Sequence, residues 1–69
     1  MNVAIAHRRL RQINTASSLQ ALAGLNSVGL HKLKGDLRDF WSVDVNAGWR
    51  ILFRFKNGDA YDVHILDPH

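Results

Sequence analysis

Two short polar stretches of this chain hold side chains of the types that do acid–base and phosphate chemistry. His31 is followed closely by Lys32 and Lys34, and a histidine beside two ammonium groups can bind phosphate and move a proton. At the C-terminus, Asp67 and His69 flank a proline that keeps the preceding backbone extended. Taken alone, each stretch is weak evidence, because exposed charges and chain ends are usually solvated.

A third chemical group, Arg50, lies within a predicted β-strand over residues 49–55. Large apolar side chains occupy the odd positions of this segment, and Arg50 and Arg54 fall between them. This period of two is typical of a strand with one buried and one open face. We therefore predict that the segment is the middle strand of a three-stranded antiparallel meander.

The preceding strand is predicted over residues 41–45, joined to the middle strand by the three-residue loop 46–48. Gly48 ends this loop, and a three-residue hairpin loop usually combines a type I turn with a left-handed last residue. The predicted pairs are Val45 with Trp49, Asp44 with Arg50, Val43 with Ile51 and Trp41 with Phe53.

The following strand is predicted over residues 60–66, after a second three-residue loop at 56–58. A two-residue turn at Asn57 and Gly58 is the alternative, but it moves Asp62 and His64 to the buried face. The longer loop instead pairs Phe53 with Tyr61, Ile51 with Val63 and Trp49 with Ile65. The predicted buried face then consists of Trp41, Val43, Trp49, Ile51, Phe53, Tyr61 and Val63.

On the open face of this predicted sheet, Asp44, Arg50 and His64 line up across the three strands. One step along the strands lie Arg54, Asp62 and Ser42. Such a row can serve as an anion-binding or acid–base surface. It can equally be a solvated charge ladder that contributes a few tenths of a kcal/mol, and the residue pattern alone favours that interpretation.

Two helices are predicted before the sheet, which makes the fold class α+β. Asn2 can cap a helix over about residues 3–14, and Ser17 or Ser18 can cap a shorter one that Gly24 ends. The first helix buries a stripe formed by Val3, Ala6, Leu10 and Ile13. Its outward face carries Arg8, Arg9 and Arg11, which either contact RNA or an acidic partner or form a solvated surface.

Composition sets the class of protein. The 69 residues carry nine Lys and Arg against six acidic side chains and contain no cysteine, which predicts one small basic domain, residues 1–69, without disulfides. A net charge of +3 favours contact with nucleic acid. No apolar run is long enough for a membrane span, and the N-terminus does not resemble a signal peptide, so we expect a soluble cytoplasmic protein.

Several motifs in order resemble one known family. They are residues 30–36, Trp41-Ser42-Val43, Trp49-Arg50-Ile51, residues 57–61 and a terminal Asp-x-His. From about residue 8 to its end, the chain resembles the HigB branch of the RelE-like toxins of bacterial toxin–antitoxin systems. The resemblance implies two N-terminal helices packed on a three-stranded antiparallel sheet, without the strand and first helix with which family members begin.

The resemblance also implies a function and partners. Such toxins enter the ribosomal A site and cut messenger RNA, and a cognate antitoxin neutralises them. The implied partners are the antitoxin, the ribosome and messenger RNA, with no membrane, and a homo-oligomer through an exposed sheet edge. No metal and no cofactor is implied, because a ribose 2′-OH attacks the adjacent phosphate with side chains alone.

The family's important residues carry over by position. The implied catalytic set is His31, Lys34, Arg50, Asp67 and His69. The cationic residues expected to bind RNA are Arg8, Arg9, Arg11, Lys32 and Arg54. One departure is Pro68, which stands where the family usually has an aromatic residue, and an aromatic ring stacked on a base contributes about 1–3 kcal/mol.

Two other functions are compatible with this fold. The first is a shortened toxin with little or no catalysis that binds an antitoxin or a second copy of itself. The second is a toxin directed at gyrase, which the set of His31, Lys34, Asp67 and His69 argues against.

Overall fold

The computed structural model describes residues 1–25 and 28–68 and has an α+β architecture. Helices α1 (Val3–Thr15) and α2 (Leu19–Ala23) precede the strands β1 (His31–Lys32), β2 (Trp41–Asp44), β3 (Arg50–Lys56) and β4 (Asp59–Leu66). The four strands form one antiparallel sheet in chain order. The expected number of three strands is wrong, because His31–Lys32 pairs with β2 as an additional edge strand. Within the described residues, no helix has the length and apolar character needed to cross a membrane.

Helix α1 begins at an asparagine cap, as the sequence predicts. The Asn2 side chain accepts a hydrogen bond from the Ile5 N–H at 3.1 Å, which satisfies one of the free donors of the first turn. The buried face is formed by Ala6, Arg9 and Ile13. Val3, expected in the buried stripe, is 59% exposed, and the expectation that Arg9 turns outward is wrong.

We expect Asn2→Ala to lower the free energy of unfolding by about 1 kcal/mol, because it leaves the Ile5 N–H without its acceptor. The backbone bond from the Asn2 N–H to Asn46 Oδ1 at 2.7 Å remains available in this variant. Urea denaturation followed by circular dichroism measures the change. The matched control is Asn14→Ala on the exposed side of the same helix, and an equal loss in both variants would contradict a capping role.

Helix α2 is a single short turn fixed by its own cap. Ser18 Oγ accepts from the Ala21 N–H at 3.0 Å, so Ser18 and not Ser17 is the capping residue. Gly24 follows the last turn, as predicted. The helix buries Leu22 completely, which covers one end of the core.

The hairpin between β2 and β3 has the predicted register, with Asp44 opposite Arg50 and Trp41 opposite Phe53. Its turn differs from the expected type I turn. The Trp49 N–H donates to Asn46 O at 2.9 Å, and Ala47 and Gly48 have φ values of 50° and 84°. Two successive positive φ values define a type I′ turn, whose twist suits a tight hairpin.

The hairpin between β3 and β4 does not have the predicted register. Lys56 pairs with Asp59, so the loop is the two-residue turn Asn57-Gly58, with φ values of 55° and 82°. The predicted partners of Trp49, Ile51 and Phe53 are therefore wrong. Asn-Gly is the residue pair that most favours a type I′ turn, because both residues adopt positive φ at low cost.

A β-bulge explains how the short turn avoids burying polar side chains. The register shifts between Leu52 and Arg54, and Asp62 on the partner strand has a φ of 56°. Beyond the bulge, Ile51 pairs with Ile65 and apolar groups again share the core face. The extra residue in β4 therefore restores the alternation that the shorter loop displaces.

The core lies between the helices and one face of the sheet. The sheet contributes Val43, Ile51 and Phe53, each with no exposed surface. Tyr61 and Val63, predicted to be buried, are 44% and 40% exposed. Tyr61 pairs with Arg54 and therefore lies on the face turned away from the helices, and Val63 lies on the edge strand β4. The remaining residues of this core are Ala6, Ile13, Leu22, Val28 and Val45. Leu52 is also buried, but it lies on the other face of the sheet.

Candidate functional site

The face of the sheet turned away from the core carries two rows of side chains. In the first, Arg50 lies between Asp44 on β2 and Leu66 on β4. The second row crosses all four strands and consists of His31, Ser42, Leu52 and His64. Its outer members, His31 and His64, are exposed, whereas Ser42 and Leu52 are buried. The expected alignment of His64 with Asp44 and Arg50 is wrong, because the bulge in β4 moves His64 opposite Leu52.

Arg50 is the cation at the centre of this open face, as the alternation in β3 predicts. Its Nε donates to Asp44 Oδ1 at 3.0 Å, and its side chain is 31% exposed. Beside it opens a pocket of about 490 Å³ that is lined by Asp44 and residues 46–50. An anion in this pocket would meet the Arg50 guanidinium directly.

His31 lies on β1, which forms the edge of the sheet opposite β4, and Lys34 follows β1 in the chain. His31 is exposed and shares the open face because it pairs with Ser42. Two strand spacings separate β1 from β3, which is about 10 Å across the sheet. Lys34 is exposed, follows the end of β1 by two residues and immediately precedes the 3₁₀ turn Gly35–Leu37.

The C-terminal residues pass close to the Arg50 pocket. Asp67 directly follows Leu66, the β4 partner of Arg50. Pro68 lies against the type I′ turn, since a Cβ atom at Gly48 would be 2.9 Å from Pro68 Cβ. The structure thus brings Asp67 near Arg50, whereas His69 lies outside the described residues.

Three of the cations expected to bind RNA have different environments. Arg8 and Arg11 are exposed on α1. Arg9 is only 6% exposed and donates from Nε to Asp44 O at 2.8 Å. It is therefore part of the packing between α1 and β2, and not part of a solvated arginine surface.

Lys32 and Trp41 face each other at the sheet edge. The Lys32 ammonium lies 5.1 Å from the centre of the Trp41 ring and also donates to Arg38 O. This pairing follows from the register, in which the two residues are opposite each other. The cation is exposed but already engaged with protein groups.

Arg54 belongs to a cluster of charged and aromatic side chains, only part of which was predicted from the sequence. Its guanidinium lies 5.1 Å from the centre of the Phe40 ring, and it pairs with Asp39 at 3.6 Å and Asp62 at 3.8 Å. The Phe40 ring is also 6.0 Å from the His64 ring. Phe40 directly precedes β2. If the alternation of β2 is extended back by one residue, Phe40 falls on the open face, so the sequence contained a signal for this residue.

Metal-ligating side chains are scattered over this surface. Across residues 1–25 and 28–68, no three of the histidine and aspartate side chains come close enough together to hold a metal ion. Three groups lie near Arg50: the carboxylate of Asp44, the backbone segment that contains Asp67, and the turn that lines the pocket. These groups can bind an anion and exchange protons.

Comparison with known proteins shows the family to which the chain belongs. The chain is 46% identical to an endoribonuclease HigB from Proteus vulgaris over 61 residues, which is 88% of this chain and 65% of that protein. It thus spans slightly less than two thirds of the length of this relative. Residues 2–69 match the family of RelE-like toxins of the type II toxin–antitoxin system HigB. The chain therefore belongs to the HigB-like toxin family.

Proposed function

We propose that the protein is the toxin of a toxin–antitoxin pair and cuts messenger RNA on the ribosome, which inhibits translation. The observation that carries this proposal is the 46% identity to an endoribonuclease over 88% of the chain. The geometry supports it, because His31 and Arg50 share the open face and Asp67 follows the strand partner of Arg50. A cytoplasmic location is part of the same proposal.

The proposed reaction is an intramolecular attack on a phosphodiester. The ribose 2′-oxygen forms a bond to phosphorus and loses its proton to a base, while the bond to the 5′-oxygen breaks and that oxygen gains a proton. The products are a 2′,3′-cyclic phosphate and a 5′-hydroxyl, and no metal takes part. Side chains with these roles need a proton acceptor, a proton donor and cations at the phosphorus.

The residues of the site divide between these roles. Arg50 and Lys34 are proposed to stabilise the negative charge on the phosphorane oxygens. His31, Asp67 and His69 are proposed to share the two proton transfers. Arg8 and Arg11, exposed on α1, are proposed to attract the RNA backbone together with Lys32 and Arg54.

The direct test incubates the protein with ribosomes that are translating a defined message. We expect internal cuts that end in 2′,3′-cyclic phosphate, detected because T4 polynucleotide kinase removes that group before ligation. The same RNA without ribosomes is the control and should remain whole. A folded protein that binds ribosomes and leaves the message intact would overturn the proposal.

A second candidate function is a binding module without catalysis, and the surface of β4 favours it. Tyr61, Val63, Ile65 and Leu66 are each at least 40% exposed, and β4 is the outer strand of the sheet. Unpaired backbone groups beside exposed apolar side chains favour the addition of another strand. We propose that this edge binds the antitoxin or, without it, a second copy of the chain.

We expect Ile65→Lys to shift the protein towards the monomer, because a lysine on an edge strand opposes strand pairing. Ile65 is 50% exposed and offers a large apolar surface. Sedimentation velocity at micromolar concentration measures the change in mass. The control is Val3→Lys, at a 59% exposed position on α1, and a monomeric unmodified chain would refute self-association through β4.

A further inference from the structure

The contact between Asp44 and Arg50 fixes the orientation of a cation and contributes little to stability. Both side chains are partly exposed, at 49% and 31%, and an ion pair in such a position adds little to the free energy of unfolding because solvent screens it. The contact uses Nε of Arg50. Among the described residues, no other acceptor bonds to this guanidinium, so its two Nη groups are available to a ligand.

Both backbone polar groups of Asp44 form hydrogen bonds. Its N–H donates to Val28 O at 2.8 Å, and its carbonyl accepts from the buried Arg9 Nε at 2.8 Å. Arg9 is itself fixed by a bond from Nη1 to Gln12 Oε1 at 3.1 Å. Hydrogen bonds from a buried guanidinium are strong and directional, so α1 sets the position at which β2 ends.

The carboxylate of Asp44 also packs closely against Gly29. Gly29 has a φ of 62°, and a Cβ atom there would lie 2.2 Å from Asp44 Oδ2. A side chain at residue 29 is thus disfavoured by backbone conformation and has no room. The carboxylate lies directly against the Gly29 backbone, which limits its movement.

We infer that Asp44 is a positioning residue for Arg50, held in place by Arg9 and Gly29, and this inference rests on the proposed function. Asp44 aligns the guanidinium so that both Nη groups point to the bound phosphate. Its negative charge lines the same pocket and therefore opposes the binding of an anion. Removal of a residue that orients the cation yet repels the substrate should therefore lower kcat without raising KM.

The test compares Asp44→Ala with Asp44→Asn on ribosomes carrying a defined message. We expect Asp44→Ala to lower kcat about tenfold to a hundredfold, since a misaligned cation stabilises the transition state poorly. KM should stay the same or fall, because a repulsive charge is lost. Asp44→Asn keeps an acceptor oxygen for Nε and should restore most of kcat, with KM as in the alanine variant.

Arg50→Lys shows whether Asp44 acts through Arg50. Lysine keeps the charge but has no Nε–H for Asp44 to hold. We therefore expect Asp44→Ala to cause no further loss of kcat in the Arg50→Lys background. An equal loss in both backgrounds would overturn the inference, as would an Asp44→Ala variant with unchanged kcat.

A measurement without RNA separates this inference from the proposed function. The exchange of the Arg50 Nε–H with water, followed by ¹H–¹⁵N NMR, should be slow in the unmodified protein and in Asp44→Asn and faster in Asp44→Ala. If the unmodified protein leaves messenger RNA whole, the proposed function fails and this exchange decides whether Asp44 holds Arg50. Equal exchange rates in the three proteins would show that it does not.

Discussion

Arg50→Ala should reduce cleavage of messenger RNA on the ribosome by about 100- to 1,000-fold, the cost typical of losing one group that stabilises a transition-state charge. Arg50 is the cation at the pocket beside the type I′ turn. Its side chain is on the open face and 31% exposed, so its removal leaves no cavity in the core. The measurement is the rate at which 2′,3′-cyclic ends appear on a defined message.

The matched control is Arg11→Ala, which removes an exposed arginine from α1. It should weaken binding to the ribosome modestly, because it contributes only non-specific attraction to RNA. Circular dichroism and thermal unfolding establish that both variants are folded. If Arg50→Ala is folded and cleaves as fast as the unmodified protein, Arg50 has no part in the chemistry.

Phe53→Ala should leave the protein largely unfolded at 25 °C. Phe53 has no exposed surface and lies on the core face of the central strand β3. Removing a fully buried phenylalanine costs about 3–5 kcal/mol, and a core of this size rarely supplies more than that. Urea denaturation followed by tryptophan fluorescence measures the loss, using Trp41 and Trp49 as reporters.

Phe55→Ala is the control for this prediction. Phe55 lies on the same face of the same strand but is only partly buried. Its loss should be clearly smaller, since less apolar surface leaves water when it packs. Two variants with the same unfolding midpoint would show that the core is not centred on Phe53.

The sequence was sufficient to predict the β2–β3 hairpin, because strict alternation and one glycine determine both its faces and its register. Arg50 was assigned to the open face for the same reason, and the structure confirms this. The register of β4 was not predictable in this way. It depends on Asp62 adopting a φ of 56°, which no local pattern of apolar residues encodes.

Two other features depend on contacts between distant parts of the chain. Strand β1 has only two residues, too few to show a period, and it is defined by its pairing with β2. Arg9 resembles its exposed neighbours Arg8 and Arg11 in sequence. It is buried because the Asp44 carbonyl offers an acceptor 35 residues away, which helical periodicity cannot reveal.

The order of the strands has a consequence for the time course of folding. Each strand pairs with the next in the chain, so the hairpins need only short loops and can form within microseconds. Helix α1 is synthesised first but packs on β3 and β4, and closing the long intervening loop costs more conformational entropy than closing a hairpin. During synthesis α1 lacks its complete packing surface until both β3 and β4 have left the ribosomal tunnel. The newly made chain therefore completes its core late, after the strand pairing that is local in sequence.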